Sequence, residues 1–255
     1  MTEHLIPTVF KQEIDSRLKQ YASDSKLNDL IADVLDLMNK NRYAYNFTWL
    51  GRPIIQIPQD TVTFQEIIWE VKPDLVIETG IAHGGSLIFT ASMLSILEQC
   101  GYVSSPVVVG IDVDIRPHNR TAIEQHPLSK YIRMLQGSSV DPHIINTVKT
   151  IASNHKRILL FLDSNHTHDH VLSELRAYAN LVTPGSYCIV LDTGIEDIDP
   201  SAIALNRPWG KGNSPKSALN EFLNEDKTFE LDTYYHEKSL ITSAPGGIIR
   251  RSESY

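Results

Sequence analysis

The run Asp163-Ser164-Asn165-His166-Thr167-His168-Asp169-His170 follows the most apolar stretch of the chain, Ile158-Leu159-Leu160-Phe161-Leu162. A carboxylate at a strand end with an imidazole three residues on can face one pocket, and histidine is the side chain that takes up a proton near neutral pH. Asp163 and His166 are therefore the candidate catalytic pair, with His166 as a base for a hydroxyl that must lose its proton as it reacts. His168 and His170 rank lower because they fall inside the helix predicted next. Metal binding by the His/Asp cluster, or a helix start with Asp169 in its first turn, accounts for the same residues and stays open.

Three further stretches could bind a ligand. Glu78-Thr79-Gly80-Ile81-Ala82-His83-Gly84-Gly85-Ser86 joins an acidic strand end to a glycine turn and a helix start. Glycines let backbone approach a ligand closely, and free N–H groups at a helix start favour a carboxylate. The spacing is not the GxGxxG dinucleotide fingerprint, and Glu78 would repel a pyrophosphate while accepting bonds from an amine. Amine plus carboxylate describes the methionine part of S-adenosylmethionine, so Glu78, Gly80, His83, Gly84, Gly85 and Ser86 are candidate donor-binding residues.

Asp112, ending Gly110-Ile111-Asp112-Val113-Asp114, can take both ribose hydroxyls of a nucleoside, with Asp114 the second choice for that role or a helix cap. In Gly137-Ser138-Ser139-Val140-Asp141 the small residues Gly137, Ser138 and Ser139 can approach adenine while Asp141 caps the following helix. Asp163 adjoins the same donor cleft.

These segments must be carried by strands whose carboxyl ends share one edge. From Thr61 onward the sequence predicts helix 63–71, strand 74–79, helix 85–99, strand 106–112, helix 119–126, strand 131–135, helix 142–155, strand 157–163, helix 168–181 and strand 186–192. Strands apolar on both faces, alternating with helices, predict an α/β fold with a Rossmann-like doubly wound sheet. Residues 1–60 form an N-terminal extension, and residues 61–255 the ligand-binding domain. Within the extension, Leu27, Leu30, Ile31, Val34, Leu35 and Leu37 make one helical stripe, and 47–60 reads as an ordered, non-helical segment or lid. After the loop 208–217, a helix begins at 218–223 and two late strands are predicted at 229–235 and 238–243.

At 255 residues the chain can bury one large core, and its net charge of -8 argues against a nucleic-acid partner. Cys100 and Cys188 form no CxxC pair and read as buried apolar fillers. With no basic leader and no apolar run long enough to span a bilayer, the expected location is cytoplasmic.

With these motifs in view, the chain resembles the cephalosporin hydroxylase/rhamnosyl O-methyltransferase family of S-adenosylmethionine-dependent methyltransferases. The likeness rests on Trp49-Leu50-Gly51-Arg52-Pro53, Gln56, Pro58-Gln59-Asp60, Glu78-Thr79-Gly80, Gly84-Gly85-Ser86, Asp112-Val113-Asp114 and Gly137-Ser138-Ser139. It continues through Asp163-Ser164-Asn165-His166, Leu191-Asp192-Thr193, Pro208-Trp209-Gly210, Gly212-Asn213 and Pro245-Gly246-Gly247. The resemblance implies the class I methyltransferase fold and O-methylation of a sugar hydroxyl on a glycolipid, surface polysaccharide or antibiotic. It also implies homo-oligomers, His166 as base and a magnesium site at Asp163 and an acidic pair. Here Leu191 replaces the first member of that pair, leaving Asp163 and Asp192, with Glu196, Asp197 or water as possible helpers. Trp49, Trp209 and the tail strands are expected to wall the acceptor site. An NAD-dependent oxidoreductase and a non-catalytic donor-binding scaffold are the alternative functions.

Overall fold

Strands that are apolar on both faces need cover on both. The computed structural model, which describes residues 7–198 and 207–253, supplies it around a seven-stranded sheet. The strands are β3 (Leu75–Thr79), β4 (Val107–Asp112), β5 (Ile132–Gln136), β6 (Ile158–Leu162), β7 (Tyr187–Val190), β8 (Phe229–Leu231) and β9 (Ile248–Arg251), in the order β5-β4-β3-β6-β7-β9-β8. The first five are parallel, while β9 pairs antiparallel with both β7 and β8. A separate hairpin precedes them, β1 (Phe47–Trp49) and β2 (Arg52–Ile54).

Successive strand residues face opposite sides, so the sheet divides the core in two. Val76, Val108, Leu159 and Phe161 pack beneath α3 (Pro58–Val71) and α4 (Gly85–Gln99). Leu75, Ile77, Val109 and Leu160 pack on the other face under α6 (Pro142–Ala152), α7 (His168–Tyr178) and α8 (Pro215–Glu225). A short helix, α5 (Pro117–Glu124), adds Ile123 to the first cluster. Asp141 caps α6 as expected, its carboxylate accepting from the His143 N–H at 2.7 Å.

The extension holds α1 (Thr8–Ser23) and α2 (Ser25–Lys40). Helix α1 buries Leu18 and packs against α9 (Thr233–Lys238). The apolar stripe of α2 is present, but no α2 residue is buried and Leu30, Val34 and Leu37 face outward.

Several expectations change. Segment 47–60 is a hairpin followed by the first turn of α3, because Pro58 is tolerated at a helix N-terminus where its missing N–H has no partner to lose. The expected strand 229–235 stops at Leu231, since the Asp232 carboxylate accepts from the Tyr235 N–H and starts α9. No strand covers 238–243; the last strand is β9, which completes the sheet instead. Cys100 is exposed where α4 ends at the surface, and only Cys188 is buried.

Candidate active site

The strand order reverses between β3 and its neighbours, and in open parallel sheets the crevice outside the carboxyl ends at that point receives the ligand. The residues singled out in the sequence lie along that edge. The glycine turn follows β3, Asp112 ends β4, Gly137 to Ser139 follow β5, Asp163 follows β6 and Asp192 lies just beyond β7.

The turn is held from several sides. Gly80 has φ +89°, and a Cβ there would stand 2.0 Å from the Asp163 carbonyl oxygen, so glycine is required for the turn to touch β6. Asp112 Oδ2 accepts from the N–H groups of Ile81 and Ala82 at 2.8 and 3.2 Å, and its Oδ1 from Asp114 N–H at 2.9 Å. Asn119 donates to the Ala82 carbonyl at 2.9 Å. The Arg52 guanidinium donates to the His83 carbonyl at 2.6 Å and to Asn119 Oδ1 at 2.9 Å. The β1–β2 hairpin thereby becomes part of the cleft wall.

Two adjoining clefts open from this edge. The shallower one follows the turn, lined by Pro53, Ile55, Gln56, Gly80, Ile81, Ala82, His83, Gly85, Ser86 and Asp163. The deeper one runs past Ile54, Gln56, Phe64, Glu78, Phe89, Thr90, Phe161, Asp163 and Leu191. Glu78 faces the deeper cleft, where its carboxylate accepts from the Ser86 and Thr90 hydroxyls. Burial pushes its pKa up to about 7 against these two lowering bonds.

Asp163, His166 and Asp192 each present one potential ligand atom within 4.8 Å of the others. His166 Nε2 lies 3.2 Å from Asp192 Oδ2, and the Trp209 ring meets the imidazole edge-on at 4.8 Å between centroids. Asp192 adopts the left-handed backbone region (φ +56°), a conformation that costs an ordinary residue energy and recurs at functional sites. Burial, reinforced by the neighbouring Asp192 and Glu78, raises the Asp163 pKa well above the usual carboxylate range.

Other expected residues lie elsewhere or are otherwise engaged. Asp114 is exposed, 3.8 Å from Arg116, and Arg116 rather than Asp114 occupies the N-cap of α5. Ser139 is buried with its hydroxyl 3.1 Å from His170 Nε2, while Gly137 and Ser138 stay partly accessible. His168 contacts Ser217 and Glu221, away from the cluster. Glu196 accepts from Gly212 N–H and Ser214, and Asp197 pairs with Lys216, so both anchor the 210–216 segment instead of helping Asp192. Trp49 packs on Phe89 and donates to Ser92, making it a prop for α4.

Three contributors were not assigned a role from sequence. Arg52 and Gln56 stood out only as marks of a resemblance, and Asn119 carries no signal because its partners are one backbone carbonyl and one side chain, both distant in sequence. Gln56 is buried, its Nε2 donating to Asp163 Oδ2 at 3.4 Å while its Oε1 has no hydrogen-bond partner among the described residues.

Known proteins resemble this chain in sequence and in fold. The chain is 28% identical over 226 residues to a rhamnosyl O-methyltransferase of Mycobacterium leprae (strain TN), covering 88% of this chain and 91% of that one. It is 27% identical over 207 residues to the enzyme of the same name from Mycobacterium bovis (strain BCG / Pasteur 1173P2), covering 80% and 78%. Among solved structures, CmcI in its apo form superposes with a TM-score of 0.56 at 20% identity, over 82% of this chain and 78% of CmcI. A Bacillus cereus O-methyltransferase in complex with S-adenosylhomocysteine superposes with a TM-score of 0.52 at 16% identity, over 86% and 91%. These structures share the fold; nothing among the relatives supports an oxidoreductase or a scaffold. With its match over residues 41–252 to the family described as Rhamnosyl O-methyltransferase/CmcI, the chain belongs to that family of S-adenosylmethionine-dependent O-methyltransferases.

Proposed function

We propose that this O-methyltransferase acts on a hydroxyl of a sugar or sugar-bearing metabolite, with S-adenosylmethionine in the turn cleft and His166 as the base. The observation that carries this reading is the His166–Asp192 contact of 3.2 Å beside Asp163, the member of the cluster that lines the glycine-turn cleft. With Nε2 held by Asp192, the other ring nitrogen of His166 takes the acceptor's proton as its oxygen attacks the methyl carbon and the carbon–sulfur bond breaks to release S-adenosylhomocysteine, and Asp192 stabilises the resulting imidazolium. Much of the rate gain comes from holding the two reactants in line, because the sulfonium is already a strong electrophile. Asp112 is assigned to ribose, Gly137 and Ser138 to the adenine side, and Trp209 to an aromatic wall for the acceptor. The names of the mycobacterial relatives favour a rhamnosyl acceptor.

Asp163 and Asp192 supply the oxygen donors that magnesium prefers, with His166 as a nitrogen neighbour, so the residues fit a cation held by two carboxylates. Leu191, buried in the wall of the deeper cleft, offers no donor. A bound magnesium would polarise the acceptor hydroxyl.

The outward apolar row Leu30, Val34 and Leu37 supports self-association through α2. The acidic net charge supports a partner other than nucleic acid. Two free cysteines fit a cytoplasmic location, and among the described residues no helix is long and apolar enough to cross a membrane.

The test is incubation with S-adenosylmethionine and a panel of rhamnosides and other glycosides. Release of S-adenosylhomocysteine together with an acceptor heavier by one methyl group is expected. A protein that binds NAD and not S-adenosylhomocysteine in calorimetric titration would overturn the reading.

A further inference from the structure

The sequence points to Glu78 as the acceptor for the amine of the methyl donor, but the fold assigns that carboxylate other partners. Glu78 lies in the deeper cleft with the Ser86 and Thr90 hydroxyls on it, and it does not line the cleft along the glycine turn. An ammonium lying in the turn cleft needs acceptors that do line it. Two side chains there have oxygen to offer beyond the serine hydroxyl of Ser86, namely Asp163 and Gln56.

With Asp163 ionised, as a facing ammonium would keep it, the amide of Gln56 has one sensible orientation. Its NH2 group donates to Asp163 Oδ2 at 3.4 Å, and turning the amide over would set its carbonyl against a carboxylate oxygen. Oε1 is thus the group left over, buried, a strong acceptor and without a partner among the described residues. A buried carbonyl in that condition bears an uncompensated desolvation cost unless a donor reaches it. The hairpin two residues before it is fixed over the turn, since Arg52 bonds the His83 carbonyl and a Cβ on Gly85 would meet the Pro53 carbonyl at 2.2 Å.

We infer that Gln56 Oε1, with Asp163, receives the α-ammonium of the methyl donor, making the β1–β2 hairpin and its following segment a part of the donor site. Gln56 is a binding and positioning residue in this assignment: it fixes the amino-acid end so that the methyl group faces His166. The inference rests on the donor reading given above.

The experiment compares S-adenosylhomocysteine with its deaminated analogue, which keeps nucleoside, sulfur and carboxylate but carries hydrogen in place of the ammonium. Affinities are measured by calorimetry for the wild type, Gln56→Met and Gln56→Glu, with thermal melting to verify the fold. The wild type is expected to prefer S-adenosylhomocysteine by about tenfold, the size of one well-made charged hydrogen bond. Gln56→Met is expected to weaken that preference severalfold, Asp163 remaining as the other acceptor, while binding the deaminated analogue as the wild type does. Gln56→Glu, which retains an acceptor oxygen, is expected to keep it. An unchanged preference in Gln56→Met overturns the assignment, as does an equal loss for both ligands, which would make Gln56 a packing residue of the hairpin. Failure of the wild type to bind either ligand would instead remove the donor reading beneath it.

Discussion

The imidazole Nε2 of His166 stands 3.2 Å from Asp192 Oδ2, although the two residues follow different strands, β6 and β7. Those strands are adjacent and parallel, so the segments leaving their carboxyl ends emerge side by side. The left-handed backbone of Asp192 turns the chain there into the short 3-10 helix Thr193–Glu196. Replacing His166 by Ala is expected to lower kcat roughly 10²–10⁴-fold with little change in the affinity for S-adenosylhomocysteine. Asp192→Asn should lower kcat by a smaller factor, since the base survives without its ionic partner. Steady-state kinetics with a saturating glycoside acceptor make the check, and an undiminished kcat in His166→Ala removes it as the base.

Glu78 gives the folding equilibrium a defined pH dependence. Its folded pKa of about 7 exceeds the ordinary 4.5, so between these values the folded chain keeps a proton that the unfolded chain has released. Stability contributed by this group is therefore highest below pH 4.5, falls as the pH rises and levels off above about 7. The total loss is on the order of 3 kcal/mol. Glu78→Gln should abolish that part of the slope, seen as a smaller difference between urea midpoints at low and neutral pH than in the wild type. Asp60 and Asp163 shift in the same direction, and Glu78 itself helps to raise Asp163, so the comparison between the two proteins reads Glu78 together with its effect on Asp163.

Gly80→Ala places a methyl carbon 2.0 Å from the Asp163 carbonyl oxygen and imposes a positive φ on alanine. The turn must move, and with it the N–H groups that Asp112 holds. A destabilisation of about 2–4 kcal/mol is expected, together with loss of S-adenosylhomocysteine binding. Urea denaturation and calorimetry measure the two effects separately.

Leu191→Glu puts a third carboxylate beside Asp163 and Asp192. Magnesium affinity should rise at least about tenfold, because a hard cation gains an oxygen ligand in place of a hydrocarbon. Without metal the variant should be less stable by about 2–4 kcal/mol, as a charge enters an apolar wall. Thermal melts with and without magnesium display both effects as a metal-dependent stabilisation larger in the variant than in the wild type.

Much of this protein is fixed by short-range chemistry that one sequence displays. Runs such as Ile158 to Leu162 have no polar face, so they must lie in a sheet covered on both sides, and the helices between them dictate parallel strands. Strand ends then mark the cleft edge, which is why Asp112, Asp163 and the glycine turn are legible in the sequence, whereas Asp192 stands out only through the family resemblance. The failures were also local: a proline at a helix start, an aspartate that caps α9 and a strand predicted where the chain turns. What sequence could not reach depends on contacts between residues far apart in the chain. The bracing of the turn by Arg52 and Asn119, the burial of Glu78 beneath Ser86 and Thr90, and the Gln56 carbonyl left without a partner among the described residues arise only when the hairpin, the turn and the helices pack together. Hydrogen-bond partners and desolvation are properties of the packed chain, so side-chain type announces what a residue is able to do and tertiary structure decides which of those possibilities it retains.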